Sequence, residues 1–136
     1  VKQMGIIACG KNWRKGCPGL CSHVLCFEAL AHKAGPFKQL GEDSELISIV
    51  PCTGCPGDSI LQIAEQMVTQ EKVEIIVFPY CAIYNSCPGL AEKALEIQKK
   101  YNCTVVLGNY PKYSELLAYL QPPHKCCWKE QRVAYA

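Results

Sequence analysis

Short apolar runs alternate with longer amphipathic stretches along this chain. Met4–Ala8, Leu46–Val50, Val73–Phe78 and Thr104–Leu107 each have strand length and are rich in Ile and Val. They show little apolar–polar alternation, the pattern of strands buried on both faces. Helical spacing fills the gaps between them. The first helical stretch runs from about Ser22 to Ala34 and meets Gly35-Pro36, a strong stop signal. The second begins near Ser59, where Ser59 and Gln62 fit a capping box and Ile60, Ile63, Ala64, Met67 and Val68 make an apolar stripe. The third follows Cys87, with Leu90, Ala94, Ile97 and Tyr101 on one face. A short fourth helix is expected over Tyr113–Leu120, before Pro122-Pro123.

Strand–helix alternation predicts an α/β fold. The expected architecture is a small three-layer sandwich around a four-stranded, mainly parallel sheet, flavodoxin-like or Rossmann-like. Residues 1–121 read as one domain and residues 122–136 as a C-terminal tail with no clear period. The link between Ala8 and Ser22 reads as a loop. A chain of 136 residues with 49% hydrophobic and 19% charged residues suits one globular core. The net charge of +2, with no Lys/Arg run, points away from nucleic acid. No apolar stretch approaches the roughly 20 residues of a membrane span. The start, VKQMGIIAC, reads as a strand and not as a secretory segment, so the expected location is cytoplasmic.

Cysteine changes the picture. Eleven of them stand in the chain, a density usual in small secreted disulfide scaffolds. An odd number, no export signal and a core of ordinary size all argue against that class. In a reducing compartment, dense cysteine points to metal or thiol redox chemistry.

The placement is as telling as the number. Cys9 follows the first strand, Cys52 and Cys55 follow the second, and Cys81 and Cys87 follow the third. Cys17, Cys21 and Cys26 lie in the first strand-to-helix connection and the turn it feeds. Eight cysteines are thus expected at the carboxyl edge of the sheet, where open α/β folds bind ligands. Neighbouring strands are about 4.8 Å apart, so a shared site is within reach.

Cys-Pro-Gly is written three times, at 17–19, 55–57 and 87–89. Each copy precedes a predicted helix, with Pro expected at the first helical position and Cys near the N-cap. A helix start there, worth about half a positive elementary charge, would favour thiolate. Four thiolates around Zn²⁺, or around a cubane cluster, leave about −2 net charge. Two or three helix starts would offset much of it, and Lys11, Arg14 and Lys15 could add more.

The strand ending in Cys9, CPG at 17–19, CFEA at 26–29, GPF at 35–37, CTGCPG at 52–57, the strand ending in Cys81 and CPGL at 87–90 come in a familiar order. The pattern resembles the CGGC-domain family over about residues 4–108. That resemblance implies a cysteine-rich metal-binding domain with Cys9, Cys17, Cys26, Cys52, Cys55, Cys81 and Cys87 as ligands. Two departures stand out. Thr53 replaces one Gly of the central motif, which leaves the ligand pair intact. Gly108-Asn109-Tyr110 stands where family members often have a Gly-Thr-His-like turn, so an all-thiolate site gains weight.

Three functions remain open on the sequence. The first is an iron–sulfur protein, of [4Fe–4S] type, with one cluster or more than one and an electron-transfer or small redox role. It would use Cys9, Cys17, Cys21, Cys26, Cys52, Cys55, Cys81 and Cys87 and would call for a redox partner protein. The second is a zinc protein, structural or carrying metal for delivery. The third is a thiol–disulfide oxidoreductase with Cys52 as nucleophile and Cys55 resolving. Neighbouring residues carry smaller expectations. His23 is a further ligand candidate, and His32 is a surface residue. Cys103 is a small buried hydrophobe opening a strand. Trp13, Tyr80 and Tyr84 could wall the site from water. Cys126, Cys127 and His124 could form a metal-binding tail.

Overall fold

The computed structural model describes residues 2–16, 23–33, 37–40 and 43–108. Its elements run β1 (Lys2–Ala8), α1 (Gly10–Trp13), α2 (Val24–Ala31), α3 (Phe37–Leu40), β2 (Ser44–Pro51), α4 (Ile60–Thr69), β3 (Ile75–Phe78), α5 (Tyr80–Tyr84), α6 (Leu90–Tyr101) and β4 (Thr104–Leu107). The four strands form one sheet in the order β2-β1-β3-β4. Every pairing is parallel. This is the first part of the flavodoxin-like order, with β1 central and the switch point between β1 and β3.

Side-chain alternation builds the three layers. Met4, Ile6 and Ala8 of β1, with Ile75 and Val77 of β3, face a core closed by Cys26 and Ala29 of α2 and Phe37 of α3. Ile7, Ile76 and Phe78 face the opposite side, against Ile60, Ala64 and Met67 of α4 and Ile97 of α6. The two faces differ by one residue because strand side chains alternate. Both central strands are thus buried on both faces, as a parallel sheet covered by helices requires.

The edge strands depart from expectation. β2 is half-buried except at Glu45 and Ile47, with Ile47 43% exposed and Leu107 of β4 44% exposed. A strand with only one neighbour among the described residues keeps part of its surface exposed here. Three short helices also went unread. α1, α3 and α5 span four, four and five residues, too short to show a helical period. The first long helix is shorter than its predicted span. α2 closes at Ala31, and Lys33 takes a left-handed φ of 52°, which ends the helical run. The predicted Gly35-Pro36 stop, the helix over Tyr113–Leu120 and the tail 122–136 lie outside the described residues.

Gly5 shows why β1 tolerates a glycine at its centre. A Cβ there would stand 2.8 Å from Met67 Sδ and 3.4 Å from Val73 Cγ2. The missing side chain lets α4 sit directly on the strand. Gly5→Val is expected to lower unfolding stability by about 1–3 kcal/mol through overpacking. Denaturant titration checks this, and an unchanged midpoint would mean that α4 is not seated on β1.

Candidate functional site

Thiols gather where β1, β2 and β3 end. The β1–β2 register pairs Ala8 with Pro51, and the Cys52 N–H continues the ladder to the Ala8 carbonyl at 3.0 Å. Cys9 and Cys52 therefore leave adjacent strands side by side. Past Pro51 the chain turns through Thr53 and Gly54 to Cys55. Past β3 it makes α5 and returns at Cys87, whose N–H donates to the Ala82 carbonyl at 3.0 Å.

Cys9, Cys52, Cys55 and Cys87 line one pocket, and all four carry free thiols. Its other walls include Ile7, Ile60, Phe78 and Ala82. Two sulfurs at this edge take backbone N–H groups. Gly10 N donates to Cys52 Sγ at 3.3 Å and Cys9 N to Cys81 Sγ at 3.4 Å. Gly10 is needed for the first contact, since a Cβ there would stand 2.4 Å from the Cys52 carbonyl oxygen. Asn85 closes the far side. Its Nδ2 donates to Cys9 Sγ at 3.5 Å, Asn12 Oδ1 at 3.1 Å and the Cys81 carbonyl at 2.9 Å.

The Cys87 thiol is pushed above its ordinary value, chiefly by burial. Lys93 pulls the other way, while Cys52, Cys9 and Cys55 push it up. Like charges near a thiolate disfavour it and a nearby ammonium favours it. Cys103, half-buried beside the second core, is also raised by burial and stands one residue before β4.

Of the other predicted site residues, Cys81 stays at this edge and Cys26 does not. Cys26 is buried in the α2-side core, on the opposite face from the α4 and α6 packing. Cys81 lies in α5 and receives the Cys9 N–H. Neither lines the pocket. Cys17 and Cys21 lie outside the described residues, as do His124, Cys126 and Cys127. His23 stacks on Trp13 with ring centroids 4.4 Å apart, and its Nε2 bonds the Trp13 carbonyl at 2.8 Å. His32 is exposed and pairs with Glu28 at 3.0 Å. Trp13 and Tyr80 pack on the α2-side core instead of walling the pocket. The Tyr84 side chain lies outside the described residues. Lys11, Arg14 and Lys15 are exposed.

Two local expectations are corrected. Ser59 makes no side-chain cap on α4; its Oγ instead accepts the Thr53 N–H at 3.0 Å and ties the Cys-Thr-Gly-Cys loop to the helix. Nor does Pro open a helix in the two described Cys-Pro-Gly copies. Cys55-Pro56 is a cis peptide, and Gly57 and Gly89 take φ of 86° and 63°. The motif is a turn ahead of the helix, with Ser59 and Gly89 as the N-caps. Left-handed glycine cannot continue a right-handed helix, so Cys55 and Cys87 stand before the helix starts.

The family model of the CGGC domain matches residues 3–110. This chain is a CGGC-domain protein. An uncharacterized protein of Methanocaldococcus jannaschii is 30% identical over 111 residues, which is 79% of this chain and 86% of that protein. No solved structure matches the chain. The matched span runs from β1 to just past β4, so the sheet and every described cysteine belong to the CGGC domain. Asn85, Gly10 and Lys93 are site residues that the sequence did not disclose. Gly10 had a signal, standing directly after Cys9, whereas Asn85 and Lys93 read as ordinary polar positions.

Four thiols between apolar walls are donors of the type a thiophilic metal takes. Their spacing is another matter. Among the described residues, no three Cys, His, Asp or Glu side chains are placed to hold a metal ion as they stand. Among the same residues, no helix is long and apolar enough to cross a membrane.

Two outcomes test this geometry. Gly10→Ala should lose about 1–3 kcal/mol of stability and speed alkylation of Cys52, because its Cβ pushes the Cys52 carbonyl away. In the metal-free protein, the pH midpoint for Cys87 alkylation should lie above that of the same segment unfolded. The neutral thiol is the favoured form in the fold, so this contribution to stability is complete below the ordinary thiol value. It is lost as pH rises through the folded value, since the unfolded chain ionises first.

Proposed function

We propose that this chain binds metal through its edge thiolates, as an iron–sulfur cluster of [4Fe–4S] type held by Cys9, Cys52, Cys55 and Cys87. One observation carries the reading. Four free thiols from the ends of three adjacent strands line a single apolar pocket. The cysteine content and the CGGC domain support metal binding in general. Cys17 and Cys21 stay in the ligand set by sequence, and with them a second cluster is within the supply of thiols. A bound cluster would supply one-electron transfer.

What the chain itself contributes is containment and charge. Ile7, Ile60, Phe78 and Ala82 form apolar walls beside the sulfurs. Asn85 and Gly10 donate to Cys9 Sγ and Cys52 Sγ; hydrogen bonds to ligating sulfur are among the groups that set a cluster's potential. Lys93 provides a positive charge beside Cys87. The location we infer is the cytoplasm, where thiols stay reduced, and the partner is a redox protein.

A second reading rests on the spacing. With no three donors ready-made among the described residues, Cys52 and the exposed Cys55 could serve as a dithiol pair, oxidised to a disulfide while a substrate disulfide takes up the two electrons and protons.

Anaerobic purification followed by counting iron, zinc and acid-labile sulfide separates these. A brown protein with iron and sulfide in comparable amounts is expected. Ser at position 9, 52, 55 or 87 should cost most of that iron, while Cys103→Ala keeps it. A colourless protein with zinc would overturn the cluster and keep the metal. A colourless, metal-free protein with a reversible Cys52–Cys55 disulfide would replace metal binding with dithiol chemistry.

A further inference from the structure

Lys93 lies in the first turn of α6, where a positive charge opposes the helix dipole. A lysine there calls for a compensating contact, and it has two. Its ammonium donates to the Pro56 carbonyl at 2.9 Å and to the Pro88 carbonyl. Pro56 and Pro88 are the central residues of two Cys-Pro-Gly copies, one after β2 and one after α5. The same ammonium lies beside the glycine of each copy, at ordinary contact distance. A Cβ on Gly57 would stand 3.4 Å from Lys93 Nζ, and one on Gly89 3.7 Å from it. The cysteine of each copy, Cys55 or Cys87, lines the thiol pocket.

The geometry points to Lys93 as a positioning residue: its ammonium straps the two Cys-Pro-Gly turns together and so presents Cys55 and Cys87 to one site. The strap gives a physical reason for the repeated tripeptide. Cys supplies the sulfur, the Pro carbonyl accepts from the ammonium, and Gly adopts the left-handed turn. An ammonium has three donors and no acceptor, so one lysine can serve two carbonyls and keep a donor to spare. The same positive charge acts on the Cys87 thiol. This inference deepens the metal reading, but the strap itself requires no metal.

The test uses the full chain, reduced and metal-free, with dibromobimane, which fluoresces on bridging two nearby thiols. Peptide mass spectrometry identifies the Cys55–Cys87 bridge. Lys93→Met should slow that bridge by about tenfold, the scale of losing hydrogen bonds from a charged donor. Lys93→Arg, whose fork can reach both carbonyls, should restore most of the rate. Lys99→Met on the same helix should leave it unchanged. In the unmodified protein, Lys93 should acylate more slowly than Lys99, a measurement that stands even if Lys93→Met does not fold. A wild-type bridging rate in Lys93→Met, equal loss in the Met and Arg variants, or acylation of Lys93 as fast as Lys99 would each overturn the strap. Since no metal enters these assays, a protein that shows the strap but takes up no iron or zinc overturns the metal reading alone.

Discussion

A single backbone hydrogen bond, from Cys52 N–H to the Ala8 carbonyl, sets the site in place. It extends the β1–β2 ladder one residue beyond the strands. Cys9 and Cys52 then emerge next to each other, and Gly10 comes close enough to give its N–H to Cys52 Sγ. The close approach leaves no room for a side chain at position 10. The parallel pairing of β1 with β3 does the same on the other side, bringing α5 and Asn85 to Cys9. β1 and β3 are held by burial on both faces, so Cys9 leaves the most buried part of the sheet.

Around that fixed pair the loops are held by polar contacts more than by packing. Ser59 Oγ ties down the Cys-Thr-Gly-Cys loop through Thr53 N–H. Lys93 reaches across to both proline carbonyls. These contacts lie at exposed or half-buried positions, where each contributes less than a buried bond and opens more readily. The division makes physical sense for a thiol site. Cys9 and Cys52 follow paired strand ends, while Cys55 and Cys87 are carried on turns.

Much of the fold was legible because its signals are local. Ile60, Ala64, Met67 and Val68 declare a helix face wherever they sit, and the Ile/Val runs declare strands. The fully buried character was right for Ile75–Phe78 and wrong for Leu46–Val50, because edge or centre is a property of the sheet and not of the run. The candidate site was half legible. Cys9, Cys52, Cys55 and Cys87 were on the predicted edge and meet there. Cys26 was on the same edge by chain position, yet the turn of α2 sends it into the opposite core. Asn85 and Lys93 had no signal, since a polar residue in or beside a helix looks the same whether it faces water or the site.

By itself, then, the sequence determined the class of the domain, the elements of its sheet, the faces of α4 and α6, and the crowding of thiols after successive strands. Those follow from periodicity and chain order, which need no partner. Only the tertiary structure decided that β1 stands between β2 and β3, that Cys9 meets Cys52 and Cys87 while Cys26 does not, and that one lysine spans two Cys-Pro-Gly turns. Strand order and thiol convergence are contacts between residues far apart in the chain. Their free energy comes from pairing and burial that exist only when the whole sheet has closed.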